Sequence, residues 1–161
     1  KYGYDTLDDQ LSLTLMKSPR CPDEKADLGE HRFTYALFPH EGAFSVETVT
    51  REAYALNVPL RGQKLDGGSG TLRALDCCQV SGSNVIVEAV KKAEADDAII
   101  VRLYEAENSR GNVTVSFGRP IKKVYSCNLM EDEAEALKIR NDDVTIAMAP
   151  FEIKTLMVYF K

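Results

Sequence analysis

The sequence contains no tryptophan and only two histidines, His31 and His40. Without Trp it lacks the largest of the aromatic side chains a sugar could stack on. With two His, a catalytic zinc site has little choice of ligand. Neither HExxH nor a GxSxG nucleophile elbow occurs. The four cysteines, Cys21, Cys77, Cys78 and Cys127, contain no CxxC pair. They are expected to be reduced, structural thiols, with adjacent Cys77 and Cys78 pointing to opposite faces of a strand. No apolar run approaches the roughly 18 residues of a membrane span. The opening KYGYD lacks the apolar core of a secretion signal. Twenty Lys+Arg stand against 25 Asp+Glu, a net charge of -5. That balance, without a basic cluster, excludes nucleic acid as the main partner. The chain opens on Lys1 rather than Met, which predicts a fragment or processed product of a longer protein.

What is present is apolar alternation. Leu11, Leu13 and Leu15 recur at period two and predict a strand ending at Ser18-Pro19. Residues 19–29 read as a polar loop. Arg32 to Phe38 is rich in aromatic and β-branched residues and predicts a second strand. Phe33, Tyr35 and Leu37 would share one face, and both faces carry apolar bulk, so the strand needs cover on both sides. Residues 45–57 change period. Val46, Val49, Ala53 and Leu56 mark an amphipathic helix with Ser45 as N-cap and Pro59 just past its end. The glycine-rich stretch 61–70 reads as a linker, and its GGSG is not followed by the Lys-Ser/Thr pair of a phosphate-binding loop.

From Leu72 onward short alternating segments come at regular intervals: 72–80, 85–90, 98–104, 112–117, 121–128, 144–148 and 153–160. Seven strands separated by polar turns predict an immunoglobulin-like antiparallel β-sandwich. The chain therefore reads as mostly β in two parts. Residues 1–75 are the terminal part of a large β-sandwich with one helix, and residues 76–161 are a small β-sandwich with its own core.

No catalytic set stands out. Carboxylates are common in the first part, but no spacing marks two of them as a pair, and glycosidic hydrolysis generally needs two. His31 and His40 would lie about 30 Å apart along a straight strand. They cannot share a metal there, and each fits a hydrogen-bonded structural role. The rings of Tyr35, Phe38, Phe44 and Tyr54 fit core packing better than sugar stacking.

Specific stretches resemble a known family. Asp27-Leu28-Gly29-Glu30-His31, then Phe33-Thr34-Tyr35-Ala36-Leu37 and Pro39-His40, look like the C-terminal β region of class II α-mannosidases, glycoside hydrolase family 38. Lys1 to Asp5, Leu11 to Pro19 and Asn57-x-Pro59-Leu60 fit the same pattern. So do Ala89 to Glu94, Val101 to Glu105 and Pro150 to Leu156, in the order of the bacterial and cytosolic branch.

The resemblance implies the C-terminal, non-catalytic scaffold of a retaining exo-α-mannosidase acting on terminal α-mannosides in the cytoplasm. It implies an aspartate nucleophile and a zinc ion in an N-terminal catalytic domain, with no position here onto which either can be carried. The implied partners are that catalytic domain and a helical domain of the same chain, with a mannose-containing oligosaccharide as substrate. Loops 21–30 and 40–44 are expected nearest that interface, with Asp27, His31, Arg32 and His40 as candidate cleft or interface residues. The alternative for Asp27, His31 and Arg32 is a local hydrogen-bonded turn. Alternatives for the whole are a carbohydrate-binding module and a structural or oligomerisation domain. The isolated chain is expected to self-associate through its first part.

Overall fold

The structure, a computed structural model, describes residues 3–64, 70 and 76–161. Two units emerge, Lys1–His40 and Glu41–Lys161. The expected boundary at 75/76, the Gly67-Gly68-Ser69 run and the start of the strand expected from Leu72 lie outside the described residues.

In the first unit β1 (Tyr4–Leu7) and β2 (Gln10–Leu13) pair antiparallel, with Tyr4 opposite Leu13. Asp8, at φ 52°, makes the turn between them; aspartate tolerates this left-handed conformation better than most residues. The expected strand at Leu11–Leu15 is thus real but sits at 10–13. Residues 23–28 form consecutive turns, as the loop assignment requires: Ala26 N donates to Asp23 O and Leu28 N to Lys25 O, each at 3.2 Å.

The strand expected over Arg32–Phe38 does not form. These residues join no ladder among the described ones. A strand exists only where a neighbour accepts and donates along its backbone, and sequence pattern cannot supply that neighbour. The alternation itself survives. The Phe33 and Tyr35 rings lie 6.5 Å apart on one side, while Phe33, Tyr35, Leu37 and Phe38 are all exposed.

The second unit begins with the expected helix. A π-helical turn (Val46–Thr50) runs into α1 (Arg51–Asn57). Ser45 caps it, its Oγ accepting from Thr48 N at 3.3 Å. This segment hydrogen-bonds to the sandwich: Val46 N donates to Glu107 Oε1 at 3.2 Å, and Val46 is buried.

Among the described residues the sandwich has nine strands rather than the seven expected. β3 (Cys78–Val80), β6 (Gly111–Phe117), β10 (Asp143–Met148) and β9 (Ile139–Arg140) form one sheet in that order. The other runs β4 (Val85–Lys92), β5 (Ile99–Glu105), β11 (Ile153–Phe160), β7 (Ile121–Cys127) and β8 (Glu133–Ala136). Every ladder is antiparallel. The two unforeseen strands, β8 and β9, are edge strands. The sequence EAEA over β8 has helical propensity, and it is pairing to β7 that extends it.

Alternation decides the core. Val101 and Leu103 of β5, Val113 and Val115 of β6, Val144 and Ile146 of β10, and Leu156 and Val158 of β11 meet between the sheets. Their neighbours Ile100 and Met157 point the other way. With Ala93, Ala98 and Cys127 they form a second apolar cluster on the outer face of the five-stranded sheet, flanked by Tyr125 and Tyr159. That face is therefore not a plain solvent face.

Candidate functional site

The first unit has a concavity of about 250 Å³, lined by residues of β2 and the chain after it and by residues 31–35 together with Asp27. It brings Asp27, His31 and Arg32 together, while His40 is not among its lining residues. His31 Nε2 lies 2.9 Å from the Asp27 carbonyl oxygen. Asp27 occupies the left-handed region at φ 56°, ending the turns that bring its carbonyl under the ring. Arg32 Nε donates to Glu30 Oε1 at 2.6 Å, with both side chains largely in water. His40 stacks on Phe38 with ring centroids 5.8 Å apart. Among the described residues lining the concavity, Asp27 alone carries a carboxylate, so it offers no acid–nucleophile pair.

The carboxylate the sequence reading missed is Glu105. It ends β5 and is only 1% exposed. Its Oε1 accepts from Glu107 N at 2.9 Å, Ser109 Oγ at 3.0 Å and Asn84 Nδ2 at 3.1 Å. Its Oε2 accepts from Phe151 N at 2.9 Å. Three loops are knotted on one side chain. Burial pushes its pKa up, but the four donors outweigh burial and hold the carboxyl down at about 2. A group so firmly ionised, with its lone pairs occupied, is no general acid at neutral pH. A signal for it was in the sequence: Val101, Leu103 and Glu105 occupy the same inward register, and a carboxylate at an inward position must find partners.

Beside it, a bulge in β4 between Val87 and Ala89 re-aims Glu88. Tyr54 of α1 donates its hydroxyl to Glu88 Oε2, and the Tyr104 hydroxyl lies 3.2 Å from it. The bond to Glu88, followed by that to Tyr104, raises the Tyr54 pKa above its ordinary value. The sequence reading weighed Tyr54 for its ring, but its hydroxyl ties α1 to the β4–β5 face.

All four cysteines are reduced thiols, with Cys21 and Cys77 exposed. Cys78 is half-buried, and burial first, then neighbouring Cys77, pushes its pKa up to about 11. That is the opposite of a reactive thiolate. Cys127 donates to Thr155 O at 3.6 Å inside the outer-face cluster. Among the described residues no group of three or more His, Cys, Asp or Glu could hold a metal ion. No helix among them is long and apolar enough to cross a membrane.

With this geometry, residues 84–156 match the family described as Glycosyl hydrolases family 38 C-terminal beta sandwich domain. That match lies wholly within the second unit. Relatives extend the likeness beyond that domain. The chain is 34% identical to Alpha-mannosidase G of Dictyostelium discoideum over 96% of its length. It is 34% identical to human Alpha-mannosidase 2C1 over 98% of its length, and 30% identical to a Saccharomyces cerevisiae Alpha-mannosidase over 99%. It spans only 15% of the first of these relatives and 16% of the second. The family match ends within β11, and the likeness to the relatives takes in the first unit and α1 as well.

Proposed function

We propose that this chain is the non-catalytic C-terminal scaffold of a retaining exo-α-mannosidase that removes terminal α-mannosides in the cytoplasm, in the bacterial and cytosolic branch of family 38. One observation carries the reading. Relatives named as α-mannosidases match 96–99% of this chain within 15–17% of their own length. The nucleophile and the zinc ion belong, on this reading, to a catalytic domain outside these residues, and no step of hydrolysis is assigned to any residue here.

The scaffold role follows from what the sandwich offers. Catalytic loops must be held to a fraction of an ångström, which rigid β-layers do well. The Glu105 knot fixes three loops at one end of such layers. Asp27, His31, Arg32 and His40 are assigned to the surface facing the catalytic domain, without contact to the scissile bond.

The gene tests this directly. The open reading frame containing this chain is expected to continue upstream into a glycosidase catalytic domain. A start codon immediately before Lys1, with no such domain in frame, would contradict the reading.

A further inference from the structure

The outer face of the five-stranded sheet is closed at one end and open at the other. Ile100, Cys127 and Met157 are buried at one end, and toward the other Tyr54 reaches over from α1 to Glu88 and Tyr104. Beyond Arg102 and Tyr104 lies an open concavity of about 530 Å³. Leu129, Phe151 and Ile153 line it and are 58%, 64% and 56% exposed.

The apolar tips are held, not loose. Phe151 sits at φ 54°, a left-handed conformation that is costly for a bulky residue. Its N–H is clamped to buried Glu105. In the same turn Glu152 N donates to Ala149 O at 3.1 Å, and Ala149 N donates to Glu152 Oε2 at 2.7 Å. Arg102 is pinned by Thr155 Oγ1 at 3.3 Å and by the Leu129 carbonyl at 3.4 Å. An exposed ring presented at a conformational cost, with its loop already ordered, has the anatomy of an interface anchor.

We propose that this open end, with Leu129, Phe151 and Ile153 as anchors inside a rim of Glu88, Arg102 and Tyr104, is the surface on which the rest of an α-mannosidase chain seats. The proposal rests on the reading above. The rim carries one acid, one guanidinium and a phenol, a mixed pattern suited to a protein surface. An anionic lipid or nucleic acid would call for a basic patch, and the chain has a net charge of -5. The chain's share of its relatives, 15–16%, leaves most of a mannosidase outside these residues. The face is also continuous with the surface that α1 already covers through Tyr54.

Site-resolved maleimide labelling tests it, using Leu129→Cys and Phe151→Cys separately in a Cys21→Ser, Cys77→Ser background. Each is made both in this chain and in the complete gene product. Both thiols should react readily in the chain alone. In the complete product both should be slowed at least about tenfold, because labelling then requires the interface to open. Turnover of an aryl α-mannoside by the complete product reports separately on the mannosidase reading. Equal labelling rates in an active product overturn the assignment of this face. Protection in the chain alone that grows with its concentration overturns it too, by identifying a second copy as the occupant. The Leu129 variant keeps the test sound if the strained turn does not accept cysteine at 151.

Discussion

Glu105→Ala is expected to lower the Tm of this chain on the order of 10 °C, because several donors lose a charged, buried acceptor at once. Thermal unfolding followed by circular dichroism measures it. The cost is the set of stranded donors: Phe151 N, Glu107 N, Asn84 Nδ2 and Ser109 Oγ all point at this carboxylate. Glu105→Gln should be milder but still destabilising, since the amide nitrogen turns a donor toward a donor.

The same residue predicts a pH dependence. Its folded pKa, about 2, lies below its ordinary 4.5. A depressed carboxyl contributes stability that is fully present above the unfolded value and lost as pH falls through the folded one. The stability gap between wild type and Glu105→Gln should therefore be constant above about pH 5 and shrink between 4.5 and 2. Glu131, held down by Lys91, and Glu152, held down by the Ala149 N–H, are shifted the same way and remain in the variant. The variant thus keeps a shallower acid slope. A gap that does not narrow in acid would mean Glu105 is not the ionised centre of the knot.

The second large effect concerns the first unit. Its hairpin β1–β2 is exposed throughout, and two strands alone are marginal in water. Phe33, Tyr35, Leu37 and Phe38 are 53%, 63%, 78% and 45% exposed. Apolar surface gathered in this way recruits a partner, and backbone that joins no ladder leaves groups open to pairing. Sedimentation velocity of the whole chain is expected to show a dimer or larger species, and a chain of residues 41–161 a monomer. Phe33→Asp with Leu37→Asp should shift the whole chain toward monomer. A clean monomer of the unaltered chain at high concentration would show that the first unit covers its own apolar side chains.

The contrast between the units shows what the sequence makes legible. In the sandwich, period-two alternation and polar turns located β4 to β7, β10 and β11 within one or two residues at either end, because both faces of each sheet have a local reason for their chemistry. The helix was legible from Ser45 and the three- and four-residue steps after it. β8 and β9 were not, since both are short and their extension comes from pairing to β7 and β10 rather than from an alternating apolar pattern of their own. Arg32–Phe38 shows the converse: a strong strand pattern with no partner makes no strand. Glu105 lay in plain view at an inward register, yet its partners come from residues 84, 107, 109 and 151, which no local pattern joins. The groove holding Asp27, His31 and Arg32 was half legible, because sequence proximity placed those three together and left His40 with Phe38.

The central claim is that this chain supports a mannosidase without performing its chemistry. Hydrolysis of an aryl α-mannoside by the purified chain, with and without added zinc, measured beside the complete gene product, tests it most directly. The account predicts turnover by the complete product and none above buffer by the 161-residue chain. Turnover that copurifies with the chain and scales with its concentration would contradict it.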